Sequence, residues 1–204
     1  MRVLAIVPAY NEEASIVSTI TMLQITLPES DDVVVNDGSR DTTSKLCSEH
    51  GFNLLDLPVN LGLTGAFQTG MKYAHQHNYD AAIQFDADGQ HDAGSVRALI
   101  ACMEEADCNI VIGSRFVTEH RGWSARMIGS RLITVAIRLT TGAWVKDPTS
   151  GMRLYDRTMI EQFANGYAFE PAPDTLAYFI RRGAKVKEVQ AKMYERKGGQ
   201  SYLT

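Results

Sequence analysis

Cysteine is scarce in this chain. Three occur among 204 residues, Cys47, Cys102 and Cys108. The number is odd, no C-x-x-C is present, and no histidine follows at zinc spacing. These facts argue against a disulfide scaffold or a zinc module and fit a reducing compartment. Long apolar runs are also missing. None reaches the ~18 residues that a membrane-crossing helix requires. The first run, residues 3–7, stops at Pro8 and is shorter than the core of a secretory leader, about 7–15 residues. It reads as a buried strand. Excess positive charge is absent as well: Lys plus Arg is 20, Asp plus Glu is 24, and the formal net charge is −4. An electrostatic nucleic-acid binder is normally basic, so no nucleic-acid partner is expected. There is no internal repeat, low-complexity tract or linker, so residues 1–204 read as one domain of ordinary size.

What remains is a globular composition with 45% hydrophobic residues. Short apolar runs alternate with helical patterns. Strands are expected at residues 3–7, 32–36, 52–57, 81–85 and 109–112. Between them, Ile16, Ile20, Leu23 and Leu27 recur at helical spacing, as do Phe67, Met71 and Ala74 within 65–78, and Val96, Leu99, Ile100 and Met103. Asp41-Thr42-Thr43 supplies the chemistry of a helix start. Alternating strands and helices with near-continuous apolar strands predict an α/β fold, a mostly parallel sheet covered by helices on both faces. After about residue 120 the pattern changes. A long amphipathic helix is expected over 124–141, then a Gly/Pro/Ser-rich loop over 146–151 and shorter elements. Arg131 and Arg138 share one face of that helix, as on a normal surface helix or on one lying against an anionic membrane.

In open parallel sheets, ligands bind beyond the carboxyl ends of the strands. The polar motifs fall there. Asp86-x-Asp88 follows the fourth strand. In extended chain, residues i and i+2 point to the same side, so two carboxylates converge. A divalent cation, Mg²⁺ or Mn²⁺, would relieve their repulsion, and Gln90 offers a further oxygen. A solvated turn accounts for the same residues. Pro8 ends the first strand. Tyr10 offers a ring to a base, and Glu12 accepts from base or ribose, while Asn11 and Glu12 also suit a helix start. Asp37-Gly38-Ser39 makes an Asx turn, or presents Asp37 to a ribose hydroxyl or base N–H. Gly62-x-x-Gly65 precedes a helix start, where backbone N–H groups are free. It is not G-x-G-x-x-G, so a dehydrogenase-type dinucleotide fold is not supported. Arg115, Arg126 and Arg196 are candidate phosphate ligands, because a guanidinium matches phosphate oxygens in pairs.

With these residues in view, the chain resembles the family 2 glycosyltransferases of the GT-A fold. The branch it is most similar to contains the dolichyl- and polyprenyl-phosphate sugar synthases. The likeness runs through I-V-P-A-Y-N-E-E, V-N-D-G-S-R-D, N-L-G-L-T-G-A, F-D-A-D-G-Q-H, G-S-R-F, D-P-T-S-G-M-R and E-R-K-G-G-Q-S, in that order. The resemblance implies a nucleotide-sugar-binding part, 1–115, and an acceptor-side part, 116–204. Pro8, Tyr10, Glu12 and Asp37 would hold the nucleoside. Asp86, Asp88 and Gln90 would bind Mg²⁺ or Mn²⁺ against the diphosphate. Arg115, Arg126 and Arg196 would meet phosphates of donor or acceptor. Arg126 and Ser130 match the family's R-x-x-x-S element, and Asp147 would sit near the acceptor as the base, if one is required. Two departures stand out: Asn36 where a second Asp is frequent, and Tyr202 where Lys is common.

The implied reaction is inverting transfer of a sugar from a nucleotide diphospho-sugar, UDP-linked with GDP as the rival, to a polyprenyl phosphate during cell-surface glycan synthesis. The chain would work in the cytoplasm at the inner face of the membrane. Short relatives of this kind act beside a separate small membrane protein, so such a partner or a homo-oligomer is expected. Transfer to a sugar hydroxyl, or nucleotide-sugar binding without turnover, are the alternatives.

Overall fold

The structure is a computed structural model that describes residues 1–86, 92–118, 125–166 and 169–192; the side chains of 93 and 125–128 are outside the description. Seven strands form one sheet in the order β3-β2-β1-β4-β6-β5-β7. They are β1 (Val3–Ala9), β2 (Asp31–Asn36), β3 (Leu54–Asp56), β4 (Ala81–Gln84), β5 (Ile110–Ser114), β6 (Arg153–Asp156) and β7 (Val186–Gln190). The helices are α1 (Ile16–Thr26), α2 (Thr43–Glu49), α3 (Gly62–Gln76), α4 (Ala93–Glu105), α5 (Ala125–Thr141), α6 (Arg157–Asn165) and α7 (Pro173–Arg181).

Every residue of β1 is buried, and its side chains alternate between two cores. Val3, Ala5 and Val7 pack with Ile16, Ile20, Cys47 and Leu99 under α1, α2 and α4. Leu4 and Ile6 pack with Phe67, Met71, Ile137, Phe163 and Phe179 under α3, α5, α6 and α7. The period of two along a strand thus feeds both faces at once, which is why the strand must be apolar throughout. On the second face Phe67, Tyr155 and Phe163 form a ring cluster with centroids 5.0–5.9 Å apart. Burying a side chain of that size is worth about 1.5–3 kcal/mol.

The five expected strands all form, and pairings β1–β2, β1–β4, β2–β3 and β5–β7 are parallel. The sheet departs from a simple succession at β6, which runs antiparallel between β4 and β5. β6 was not resolved in the sequence because it is four residues long and begins with an arginine. Arg153 is nonetheless buried. Its guanidinium donates to the carbonyls of Ser150 (2.9 Å), Pro148 (2.6 Å) and Ala172 (3.2 Å), so its polar atoms are matched without a carboxylate. That cluster ties the 147–152 loop to the entry of α7.

Chain order reverses at β1, with β2 on one side and β4 on the other. In this architecture the crevice for a ligand opens beyond the carboxyl ends at such a switch point.

Candidate active site

The β1 and β2 ends lie side by side, with Ala9 in register with Asn36. The Asp37 N–H donates to the Ala9 carbonyl at 2.8 Å. Asn11 does not cap α1, which starts only at Ile16. Asn11 instead takes a left-handed conformation, φ 54°. From there its N–H donates to Ser39 Oγ (2.9 Å), and its Oδ1 accepts from the Arg40 N–H (2.9 Å). The two loops are therefore stitched together, and asparagine tolerates that backbone because its side chain bonds locally. Glu12 is buried. Its N–H donates to Thr43 Oγ1 (2.9 Å), and its Oε2 accepts from Ser15 Oγ (2.7 Å). Pro8 is buried in the strand, and Tyr10 is half-buried at its end.

Beside Tyr10 an open cleft of about 570 Å³ runs between Gly38, Ser39 and Arg40 on one wall and residues 57–60 on the other. Gly38 holds φ +65°, and a Cβ there would fall 2.6 Å from the Val59 carbonyl carbon. Only glycine lets the two walls approach so closely. Asn36 at the base of the cleft donates from Nδ2 to Asp56 Oδ1 at 2.6 Å. An aspartate at position 36 would set two carboxylates face to face across β2 and β3.

Asp37 is fully buried. Its Oδ1 accepts from the Leu61 N–H at 2.7 Å. Its Oδ2 has no partner among the described residues. Burial pushes the carboxyl pKa up, and the Leu61 and Gly62 N–H groups only partly offset it. An unpaired buried acceptor is costly and calls for an explanation, such as a ligand donor. Gly65 does not precede α3; it lies in its first turn, where a Cβ would run into the Leu61 side chain.

Asp86 stands one residue beyond Phe85 at the end of β4, half-buried, and its Oδ1 accepts from Gln84 Nε2 at 2.9 Å. The Gln84 Oε1 is buried without a partner among the described residues. Asp88 and Gln90 lie outside the described residues, and among those described no group of three His, Cys, Asp or Glu could hold a metal. The donors present at this strand end are carboxylate and amide oxygens, the kind that suit Mg²⁺ or Mn²⁺.

At the end of β5, Arg115 meets Asp147. Asp147 is fully buried and Arg115 is about a quarter exposed. Asp147 Oδ2 accepts from Arg115 Nε (2.8 Å) and from the Arg115 N–H (3.1 Å), while Oδ1 accepts from Nη2 (2.8 Å). Thr149 Oγ1 donates to the same Oδ1 at 3.1 Å. Burial works to raise the Asp147 pKa, but the hydrogen bonds and charge of Arg115 outweigh it and hold the carboxyl below its ordinary value. A carboxylate so occupied is a poor proton acceptor. It aims the guanidinium instead.

Glu188 on β7 fixes the loop from behind, accepting from the N–H groups of Lys146 (2.7 Å) and Asp147 (2.8 Å). Glu188 carries no local signal in the sequence, being one acid beside a lysine in a short edge strand, Val-Lys-Glu-Val-Gln. On α5, Ser130 is buried and its hydroxyl has no partner among the described residues. Arg126 falls in the first turn of α5, with its side chain outside the description. Arg196 lies outside the described residues.

The architecture is that of GT-A glycosyltransferases. The crystal structure of glucosyl-3-phosphoglycerate synthase from Mycobacterium tuberculosis, solved with Mn²⁺, UDP and phosphoglyceric acid, matches with a TM-score of 0.72. The match covers 96% of this chain and 71% of that one at 19% identity, a likeness of fold. Residues 4–163 match the family model described as glycosyl transferase family 2. An undecaprenyl-phosphate mannosyltransferase from Micrococcus luteus is 31% identical over all of this chain and 88% of its own length. A polyprenol monophosphomannose synthase from Mycolicibacterium smegmatis is 28% identical over all of this chain and 81% of its own. The chain belongs to the family 2 glycosyltransferases.

Proposed function

We propose that this enzyme moves a sugar from a UDP-sugar onto the phosphate of a polyprenyl phosphate and inverts the anomeric carbon. The observation that carries the reading is the gathering of Tyr10, the half-satisfied Asp37, Asp86 and the aimed guanidinium of Arg115 beyond the carboxyl ends of β1, β2, β4 and β5. The names of the relatives support a lipid-phosphate acceptor, since those from M. luteus, M. smegmatis and Methanococcus voltae each carry one.

In this account the nucleoside enters the cleft beside Tyr10, whose ring stacks on the base. Pro8 fixes the strand end beneath it. Asp37 Oδ2 accepts a base or ribose donor, and Glu12 holds the adjoining loop. Gly65 keeps the first turn of α3 narrow beside the nucleotide. Asp86, with Asp88 and Gln90, would hold Mg²⁺ or Mn²⁺, which when bound neutralises charge on the diphosphate. Arg115 stabilises the negative charge that develops as the bond from the anomeric carbon to the diphosphate breaks. The acceptor phosphate, seated by Ser130, Arg126 and Arg196, supplies the oxygen that forms the new bond. A phosphate monoester has its second pKa near 6, so it arrives already ionised and needs no base. That agrees with Asp147 being engaged by Arg115 and acting as a positioning residue. Residues 1–115 would then handle the donor and 116–204 the acceptor.

Thermal shift with UDP- and GDP-sugars, with and without Mn²⁺, tests the donor side. Stabilisation by a UDP-sugar that disappears with chelator and in Asp88→Asn is expected. Equal stabilisation by NAD, or stabilisation indifferent to metal, contradicts the reading.

A further inference from the structure

Helix α5 is apolar on two sides: Ile133 and Ile137 pack into the core, and a second apolar stripe faces outward. Ser130 and Thr134 face the interior and are buried, whereas Leu132, Val135 and Leu139 are 66%, 47% and 81% exposed. These three recur at i, i+3 and i+7 and form one outward stripe. Arg131 and Arg138 run along one flank of it. Beyond the helix, Trp144 is 55% exposed, and the Arg138 guanidinium lies 5.0 Å from its ring centroid. The tryptophan is thereby held beside the stripe.

Charge says what covers this face. The chain as a whole is acidic, with net charge −4. Yet residues 121–146 contain Arg121, Arg126, Arg131, Arg138 and Lys146 and no Asp or Glu. An apolar stripe flanked by arginines, with a tryptophan at its edge, has the chemistry of a helix that lies in the headgroup layer of an anionic membrane. A second copy of this chain would bring the same cations against themselves.

We propose that the outer face of α5, with Trp144, docks the enzyme on an anionic lipid bilayer, with Leu132, Val135 and Leu139 entering the headgroup boundary. Ser130 then stands within about one helix diameter, roughly 10 Å, of the lipid surface. The direction of docking rests on the lipid-borne acceptor proposed above.

The test uses the full chain with Trp123→Phe, so that Trp144 alone reports. It is mixed with phosphatidylcholine vesicles, with or without about a third phosphatidylglycerol. Sedimentation with the anionic vesicles, weakened by salt, and quenching of Trp144 by brominated lipid are expected. Arg131→Gln with Arg138→Gln lowers partitioning about 25-fold, roughly fivefold per charge. Leu132→Ser with Leu139→Ser lowers it at least tenfold, and both are exposed enough to leave the fold intact. No binding to anionic vesicles overturns the proposal, as does binding indifferent to both double variants. A dimer in light scattering that the leucine variant dissolves, without vesicle binding, assigns the stripe to a second copy and also overturns it. Transfer to a short-chain polyprenyl phosphate dispersed in detergent is measured in parallel. Vesicle binding without any transfer supports docking and sinks the function proposed above. Transfer without vesicle binding does the reverse.

Discussion

Replacing Asp147 by asparagine keeps the shape of the side chain and removes its charge. Arg115 then loses the only acid with which it forms an ion pair among the described residues. Breaking a buried pair from one side costs about 3–5 kcal/mol. Arg115 is about a quarter exposed, so water recovers part of that cost and about 2–3 kcal/mol is expected. For a chain of this size each kcal/mol moves Tm by about 2–4 °C, so the variant should melt roughly 5–10 °C lower. The pH dependence has a definite sign. The Asp147 pKa is held below its ordinary value of 3.8. Its contribution is therefore complete above that value and fades as the folded-state group takes up its proton at lower pH. The gap between wild type and variant should stay level between about pH 5 and pH 8 and narrow below about pH 4. Calorimetry across that range reads it directly. A gap under about 1 °C, or one that widens on acidification, refutes the reasoning. Kinetics add a second reading. A positioning residue lowers kcat/KM while the shape of the pH profile is kept. Loss of a general base would instead remove the acidic limb of that profile, the limb along which the base becomes protonated.

Three further outcomes follow from the same geometry. Asp37→Asn should stabilise the ligand-free enzyme at neutral pH, because burial raises the Asp37 pKa and ionising it costs stability there, a penalty that fades as pH falls through the raised value; the same change should weaken UDP binding at least tenfold by calorimetric titration. Gly38→Ala places a Cβ against the Val59 backbone in a left-handed conformation, and should lower stability by about 1–3 kcal/mol in urea unfolding while weakening nucleotide binding. Arg153→Ala strands the carbonyls of Pro148, Ser150 and Ala172 and opens a cavity, so a loss of about 3–5 kcal/mol is expected, with Arg153→Lys recovering only part of it.

The strands that carry the motifs were legible because they are buried on both faces and read as unbroken apolar runs. The rule that ligands gather beyond their carboxyl ends then pointed to Tyr10, Asp37, Asp86 and Arg115, which stand just beyond β1, β2, β4 and β5. Other features lay beyond local pattern. β6 is short and opens with Arg153, which is matched by carbonyls that only the tertiary fold brings near. β7 reads Val-Lys-Glu-Val-Gln at a sheet edge, so its apolar signal is weak, and Glu188 looks like any surface acid until the 146–147 backbone meets it. Asn11 has the residue type of a helix cap, but long-range bonds to the Ser39–Arg40 loop outweigh that local preference. The engagement of Asp147 by Arg115 spans 32 positions in sequence, a distance no motif reports.

The most direct measurement supplies the enzyme with a labelled UDP-sugar, a short polyprenyl phosphate and Mn²⁺, and follows where the label goes and in which anomeric form. A glycosyl phospholipid of inverted configuration is expected, with its formation reduced at least a hundredfold by chelator and in Asp86→Asn, the scale on which lost charge stabilisation reduces turnover. Label delivered to a sugar hydroxyl instead, or transfer undiminished when the cation and that carboxylate are gone, would contradict it.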